Sequence, residues 1–236
     1  MARIRDETIF SVLLIIFLFL STNFDPNVGF LFTLILLGDF MWFTFDKKIE
    51  FPFEREPTNG TNRLVSIILG IGLGLGFITL GNVLLNVMGV TQSFVDFFGA
   101  TTPPLQSSVV VTFVTWAFLI PSVETPFFFG RVLERTIDFV NVKLGIRAQK
   151  TFDLLNFSTW WAVLIVSGMF MLFHLAAKGI SNTNLLAITF VFGIVSCWVS
   201  IYFKQLRENV IMHATVNTLS VYRILGGKVI GAIVGP

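Results

Sequence analysis

Cysteine is almost missing from this chain: Cys197 stands alone. One thiol cannot close an internal disulfide or build a cysteine metal site, and within an apolar run it reads as a small packed residue. Charge is scarce as well. Asp, Glu, Lys and Arg supply 13% of the 236 residues, against about 25% in soluble domains. That is too little to coat a water-facing surface, so soluble globular, disordered and nucleic-acid-binding proteins are excluded. The net charge of +2 favours no anionic partner. The sequence has only two histidines, His174 and His213.

Apolar residues are abundant. Phe occurs 28 times, and the mean hydropathy is +0.82. The apolar residues come in long blocks. A bilayer crossing needs about 20 such residues, and the blocks near 8–22, 29–45, 63–90, 107–140, 158–178, 184–203 and 208–225 qualify. Residues 226–236 are apolar but short, and would make a partial eighth segment. The expected fold is all-α: a polytopic membrane bundle of about 7–8 transmembrane helices. It forms a single integral membrane domain over 1–236. Met1 to Glu7 followed by an apolar run resembles a signal peptide. The run ends without a small-x-small cleavage site, so it reads as an uncleaved first helix.

Basic residues alternate between loops. Arg3 and Arg5 precede the first block, and Lys47, Lys48, Arg55 and Arg63 follow the second. Residues 21–30 and 91–106 hold no Lys or Arg. Arg131, Arg135, Lys143, Arg147 and Lys150 lie at or beyond the end of the fourth block. One Lys, Lys178, follows the fifth, and Lys204 and Arg207 follow the sixth. The positive-inside rule then places the N-terminus and loops 46–62, 141–157 and 204–207 in the cytoplasm. The sequons at Asn59 and Asn156 fall on that same side and are discounted. Gly70, Gly72, Gly74 and Gly76 mimic a nucleotide loop. They lack a preceding strand, and their two overlapping G-x-x-x-G spacings indicate close helix packing.

Ionisable groups within apolar runs cost roughly 2.5–3.5 kcal/mol each, so each needs a reason. Asp39, Glu124, His174 and His213 are such groups. Asp39 reads as a hydrogen bond to a neighbouring helix. Glu124 lies between Pro121 and Pro126, which free backbone groups beside the carboxylate. Asn209, His213 and Asn217 recur every fourth residue and share one helix face, which should point into the bundle. Trp160 and Trp161 open the fifth block as an interfacial belt. Glu134, Arg135 and Asp138 read as a solvated helix end, and Arg207 and Glu208 as a loop edge. Counting from the inner turn, Glu124 and His174 each lie about 15 residues away, roughly 22 Å along a helix. His213 lies only about 6 residues from its loop, roughly 9 Å. The depths match only if the fourth and fifth helices extend into the cytoplasm.

These contexts, in this order, resemble the CAAX protease and bacteriocin-processing family of intramembrane endopeptidases. That family carries Glu-Glu-x-x-x-Arg, Phe-x-x-x-His and His-x-x-x-Asn motifs. Phe170 and His174 match the second, and His213 and Asn217 the third; Glu124 stands where the first Glu belongs. Thr125 replaces the second Glu and Phe129 the Arg, with Arg131 two positions late. The resemblance spans a motif-bearing core at about 108–220, leaving an N-terminal three-helix segment at about 1–92. It implies a peptidase acting on a membrane-associated peptide, prenylated substrates included. Glu124 would be the general base, His174 a holder of the attacking water, and His213 and Asn217 donors to the oxyanion. Thr125, Phe170, Arg131 and Asn209 would support them. No cofactor is expected. A zinc variant would use Glu124, His174 and His213 as ligands. An inactive member acting as a membrane scaffold or complex subunit is a second reading, and bis-histidine haem ligation by His174 and His213 a third.

Overall fold

A computed structural model of the protein describes residues 63–100, 113–143, 157–178, 183–203 and 206–234. Every regular element among them is helical. The expected spans at 8–22 and 29–45, with Asp39, lie outside the described residues.

Helix α1, Arg63–Val87, is a run of apolar residues and glycines. It ends in a Schellman motif. Gly89 takes a φ of 76°, its N–H donates to the Asn86 carbonyl, and the Val90 N–H donates to the Leu85 carbonyl. Glycine fits this left-handed position because it has no Cβ to clash. The chain then enters the short helix α2, Phe94–Ala100. Ser93 caps it: Ser93 Oγ accepts the Asp96 N–H at 3.2 Å and donates to Asp96 Oδ2 at 2.6 Å. Asp96 stands where a capping box has Glu, but its carboxylate takes the Ser93 hydroxyl rather than the Ser93 N–H. Asn82 Oδ1 accepts the Phe94 N–H, satisfying a second orphan donor.

Residues 113–143 are helical throughout, with two π-helical stretches, Thr115–Leu119 and Pro126–Val132. Between them lies α3, Ile120–Thr125, and after them α4, Leu133–Lys143. Pro121 and Pro126 have no N–H and crowd the carbonyl four residues back, so the helix widens around them. Helices α5, Phe157–Lys178, and α6, Thr183–Phe203, follow. The last helix, α7, runs unbroken over Arg207–Val234. The expected partial eighth segment is therefore a continuation of α7. No Pro falls between Arg207 and Val234, and the Gly pair at 226–227 does not end the helix.

Among the described residues, three helical stretches are long and apolar enough to cross a bilayer: Leu64–Val87, Phe157–Leu175 and Thr183–Phe203. The first has 24 residues, roughly 36 Å of helix against a hydrocarbon core of about 30 Å. Leu64, Ile68, Leu75 and Val83 on α1 are exposed, as a lipid-facing surface requires.

The described helices form two compact units. One holds α1, α2, the chain as far as Pro126, and α7; the other runs from Phe127 through α4 and includes α5 and α6. In the first unit α7 lies against α1. A Cβ at Gly70 would fall 2.6 Å from Ile211 Cβ, and one at Gly74 would fall 2.7 Å from Thr215 Cβ. Gly72 and Gly76 face nothing within 4 Å. Only one of the two G-x-x-x-G spacings is thus a helix contact. In the second unit, Phe128, Phe129, Phe170, Phe173 and Phe192 build an aromatic core. Gly193 lets α6 approach Ser167 of α5 closely.

Candidate active site

The buried face of α7 repeats in pairs: Glu208 and Asn209, Met212 and His213, Val216 and Asn217, Ser220 and Val221. Residues spaced by three and four share a helix face, so one turn after another turns the same side inward. The polar stripe Asn209, His213, Asn217 therefore points into the protein. Glu208 is fully buried on the same face. It lies in the first turn of α7, yet with Ser220 it adds to the polar stripe on this face. The fourfold spacing would have found it only one residue off the stripe.

Glu124 sits on α3 between the two π stretches and is 7% exposed. His213 Nε2 lies 3.9 Å from Glu124 Oε2. That exceeds a hydrogen bond but suits a shared small ligand. The other ring nitrogen, Nδ1, is hydrogen-bonded to Thr125 Oγ1 at 3.0 Å. Thr125 is fully buried. The imidazole thus lies between two consecutive residues of α3, bonded to Thr125 through Nδ1 and facing Glu124 with Nε2. The depth mismatch expected from the sequence does not keep the pair apart. The helix bearing Glu124 runs on to Lys143, about 19 residues or roughly 28 Å farther.

Asn217 braces the same helix. Its Nδ2 donates to the Trp116 carbonyl at 2.9 Å. That carbonyl is available for a specific reason. The Ile120 N–H, its partner in an α-helix, donates instead to the Thr115 carbonyl in π register. Pro121, its partner in a π-helix, has no N–H. Asn217 supplies the missing donor and keeps a second amide hydrogen. Its Oδ1 is buried without a hydrogen-bond partner among the described residues.

His174, Phe170, Phe129 and Arg131 belong to the second unit. His174 is buried, its Nδ1 donates to the Phe170 carbonyl at 3.0 Å, and its ring lies 4.4 Å from the Phe170 ring. A carbonyl can only accept, so Nδ1 carries the proton of this bond. The four-residue Phe-x-x-x-His spacing serves a local purpose, because it puts the carbonyl of the Phe one turn below the ring. Phe129, in the place of the expected Arg, is fully buried, 4.9 Å from the Phe170 ring and 6.3 Å from the Phe192 ring. A guanidinium there would be desolvated among aromatic rings. Arg131 is partly buried at the end of the second π stretch. Among the described residues, no group of three His, Cys, Asp or Glu side chains is placed to hold a metal ion.

Residues 106–219 match the family model for the type II CAAX prenyl endopeptidase, Rce1-like. The chain carries an Rce1-like CAAX endopeptidase domain. This is a family of membrane proteases, and with three apolar helices of spanning length the chain is an integral membrane protein. The match starts before the first π stretch and ends just beyond Asn217, so it encloses both units' motif residues. Neither a curated protein nor a solved structure matches the chain.

Proposed function

We propose that the chain is an intramembrane endopeptidase that hydrolyses a peptide bond in a membrane-associated substrate, using water activated by Glu124. The observation that carries this is the buried Glu124–His213 pair, 3.9 Å apart, within the stretch that matches the family model. Peptide hydrolysis needs a base for water, a donor for the oxyanion and a proton for the departing amine. Glu124 takes the proton from water as its oxygen attacks the carbonyl carbon. His213 Nε2–H and the second amide hydrogen of Asn217 donate to the oxyanion. As the C–N bond breaks, the proton held by Glu124 passes to the amine. The family resemblance gives His174 the part of holding the water and relaying protons. Phe170 positions His174 through its carbonyl, and Asn209 and Arg131 are supporting residues. A prenylated peptide is one substrate of this class.

The route proposed is metal-free. In the zinc variant Glu124 would be a ligand and could not also serve as the free base. The active site faces the cytoplasm, where the positive-inside rule puts the N-terminus.

The test is cleavage of a library of prenylated and unmodified lipid-embedded peptides by purified protein in liposomes. Glu124→Ala is expected to lose at least about 100-fold in turnover, the usual scale for removing a general base. Turnover should survive a zinc chelator. Equal turnover by both proteins would reject Glu124 as the base. A second reading is a catalytically inactive member that acts as a membrane scaffold or complex subunit. Thr125 and Phe129, in place of the family's Glu and Arg, favour it, and absence of turnover by either protein would select it.

A further inference from the structure

We propose that Thr125 is a positioning residue that locks His213 in the tautomer needed to serve the Glu124 carboxylate. This deepens the reading above and rests on it for its catalytic consequence. The family motif places a second carboxylate at this position. A carboxylate can only accept a hydrogen bond, so it would draw the proton to the nearer ring nitrogen. A threonine hydroxyl can accept or donate, and here the surroundings choose. His213 Nε2 faces Glu124 Oε2 at 3.9 Å. A bare nitrogen lone pair facing a carboxylate oxygen is repelled, whereas an N–H pointed at it is attracted. In a neutral ring with its proton on Nε2, Nδ1 accepts, and the Thr125 hydroxyl 3.0 Å away is its donor. The chain O–H to Nδ1, then Nε2–H toward the carboxylate, is consistent at every link. Thr125 is fully buried and His213 3% exposed, so bulk water is not a ready substitute for that hydroxyl. One substitution thus converts a pair of carboxylates into a hydroxyl–imidazole–carboxylate relay. His213 stays a neutral donor, able to hold a water or an oxyanion beside Glu124.

The chain's two histidines make the test direct. Imidazole 15N spectra separate the two tautomers, and only two side chains contribute. In the wild-type protein His213 should appear as the Nε2–H form. Thr125→Val, nearly isosteric, should shift it toward the Nδ1–H form or a mixture, and Thr125→Ser should restore it. In the peptide assay Thr125→Val should lower kcat by about tenfold or more, the scale of one lost buried hydrogen bond, with KM little changed. Thr125→Ser should recover most of kcat. An Nε2–H spectrum unchanged in Thr125→Val would overturn the proposal, as would an Nδ1–H form in the wild type. The spectra report the tautomer whether or not the protein cleaves anything. A tautomer shift in a protein without turnover would support Thr125 in its role and count against the peptidase reading alone.

Discussion

At the scale of single residues, helix termini and carbonyls set where polar side chains are used. Asn217 shows the logic. A π register and a proline together strand the Trp116 carbonyl, and an amide from a helix 101 positions later fills the vacancy. Asp96 shows it at the surface. Its hydrogen bond from Ser93, and then its bond and charge pairing with Arg223 at 2.8 Å, hold its pKa below the usual carboxylate value. A carboxyl whose folded pKa is depressed contributes stability above its unfolded pKa and loses it as pH falls through the folded one. The α2–α7 clasp should therefore contribute fully above about pH 4, the ordinary Asp value, and open only as pH falls through the lower folded value. Both groups are well exposed, so the effect is small. Asp96→Asn should barely change the melting temperature at neutral pH, and should remove the part of acid sensitivity that the clasp contributes. Melting curves of both proteins between pH 3 and 7 check this.

At the scale of elements, the α1–α7 contact governs the site. Gly70 and Gly74 let α7 approach α1 beside Ile211, Met212 and Thr215, the residues that flank His213. Gly70→Ala or Gly74→Ala would put a methyl group where atoms already sit, closer than real Cβ contacts allow. Overpacking of this kind costs about 1–3 kcal/mol, and α7 must shift with His213 on it. Either variant should lower the melting temperature in detergent and reduce peptide turnover. Gly72→Ala and Gly76→Ala should leave both unchanged, because those glycines face open space. The G-x-x-x-G repeat is visible in the sequence. Which of its two phases makes the contact is not, since both have the same spacing and only the rotation of α1 about its axis distinguishes them.

At the scale of the whole molecule, the membrane is the dominant constraint. Backbone groups in lipid must be satisfied within the segment, so apolar blocks of this length become helices. The proposed cytoplasmic placement of the charged loops makes a prediction that labelling can check. A cysteine from Gln92→Cys should react with a membrane-impermeant maleimide on intact cells, and one from Gln205→Cys only after permeabilisation. Cys197 is fully buried and should stay silent in both. The reverse pattern would invert the orientation and move the proposed active site to the outer face.

Hydropathy alone marked out blocks at 63–90, 158–178 and 184–203, which the structure makes helices over Arg63–Val87, Phe157–Lys178 and Thr183–Phe203, because burial in lipid depends on composition and length rather than on partners. Fourfold spacing alone marked the inward face of α7, because helix geometry is local. The family motifs pointed to Glu124, His174, His213 and Asn217. The bond from Thr125 to His213 joins residues 88 positions apart, and no local rule reaches that far. Thr125 looked like the loss of a motif carboxylate, and Glu208 looked like a loop edge. Burial and the packing of α7 gave both their places. Sequence determined which segments leave water and which faces turn inward; tertiary structure decided which polar atoms meet there, since that depends on how far two helices are rotated and slid along one another.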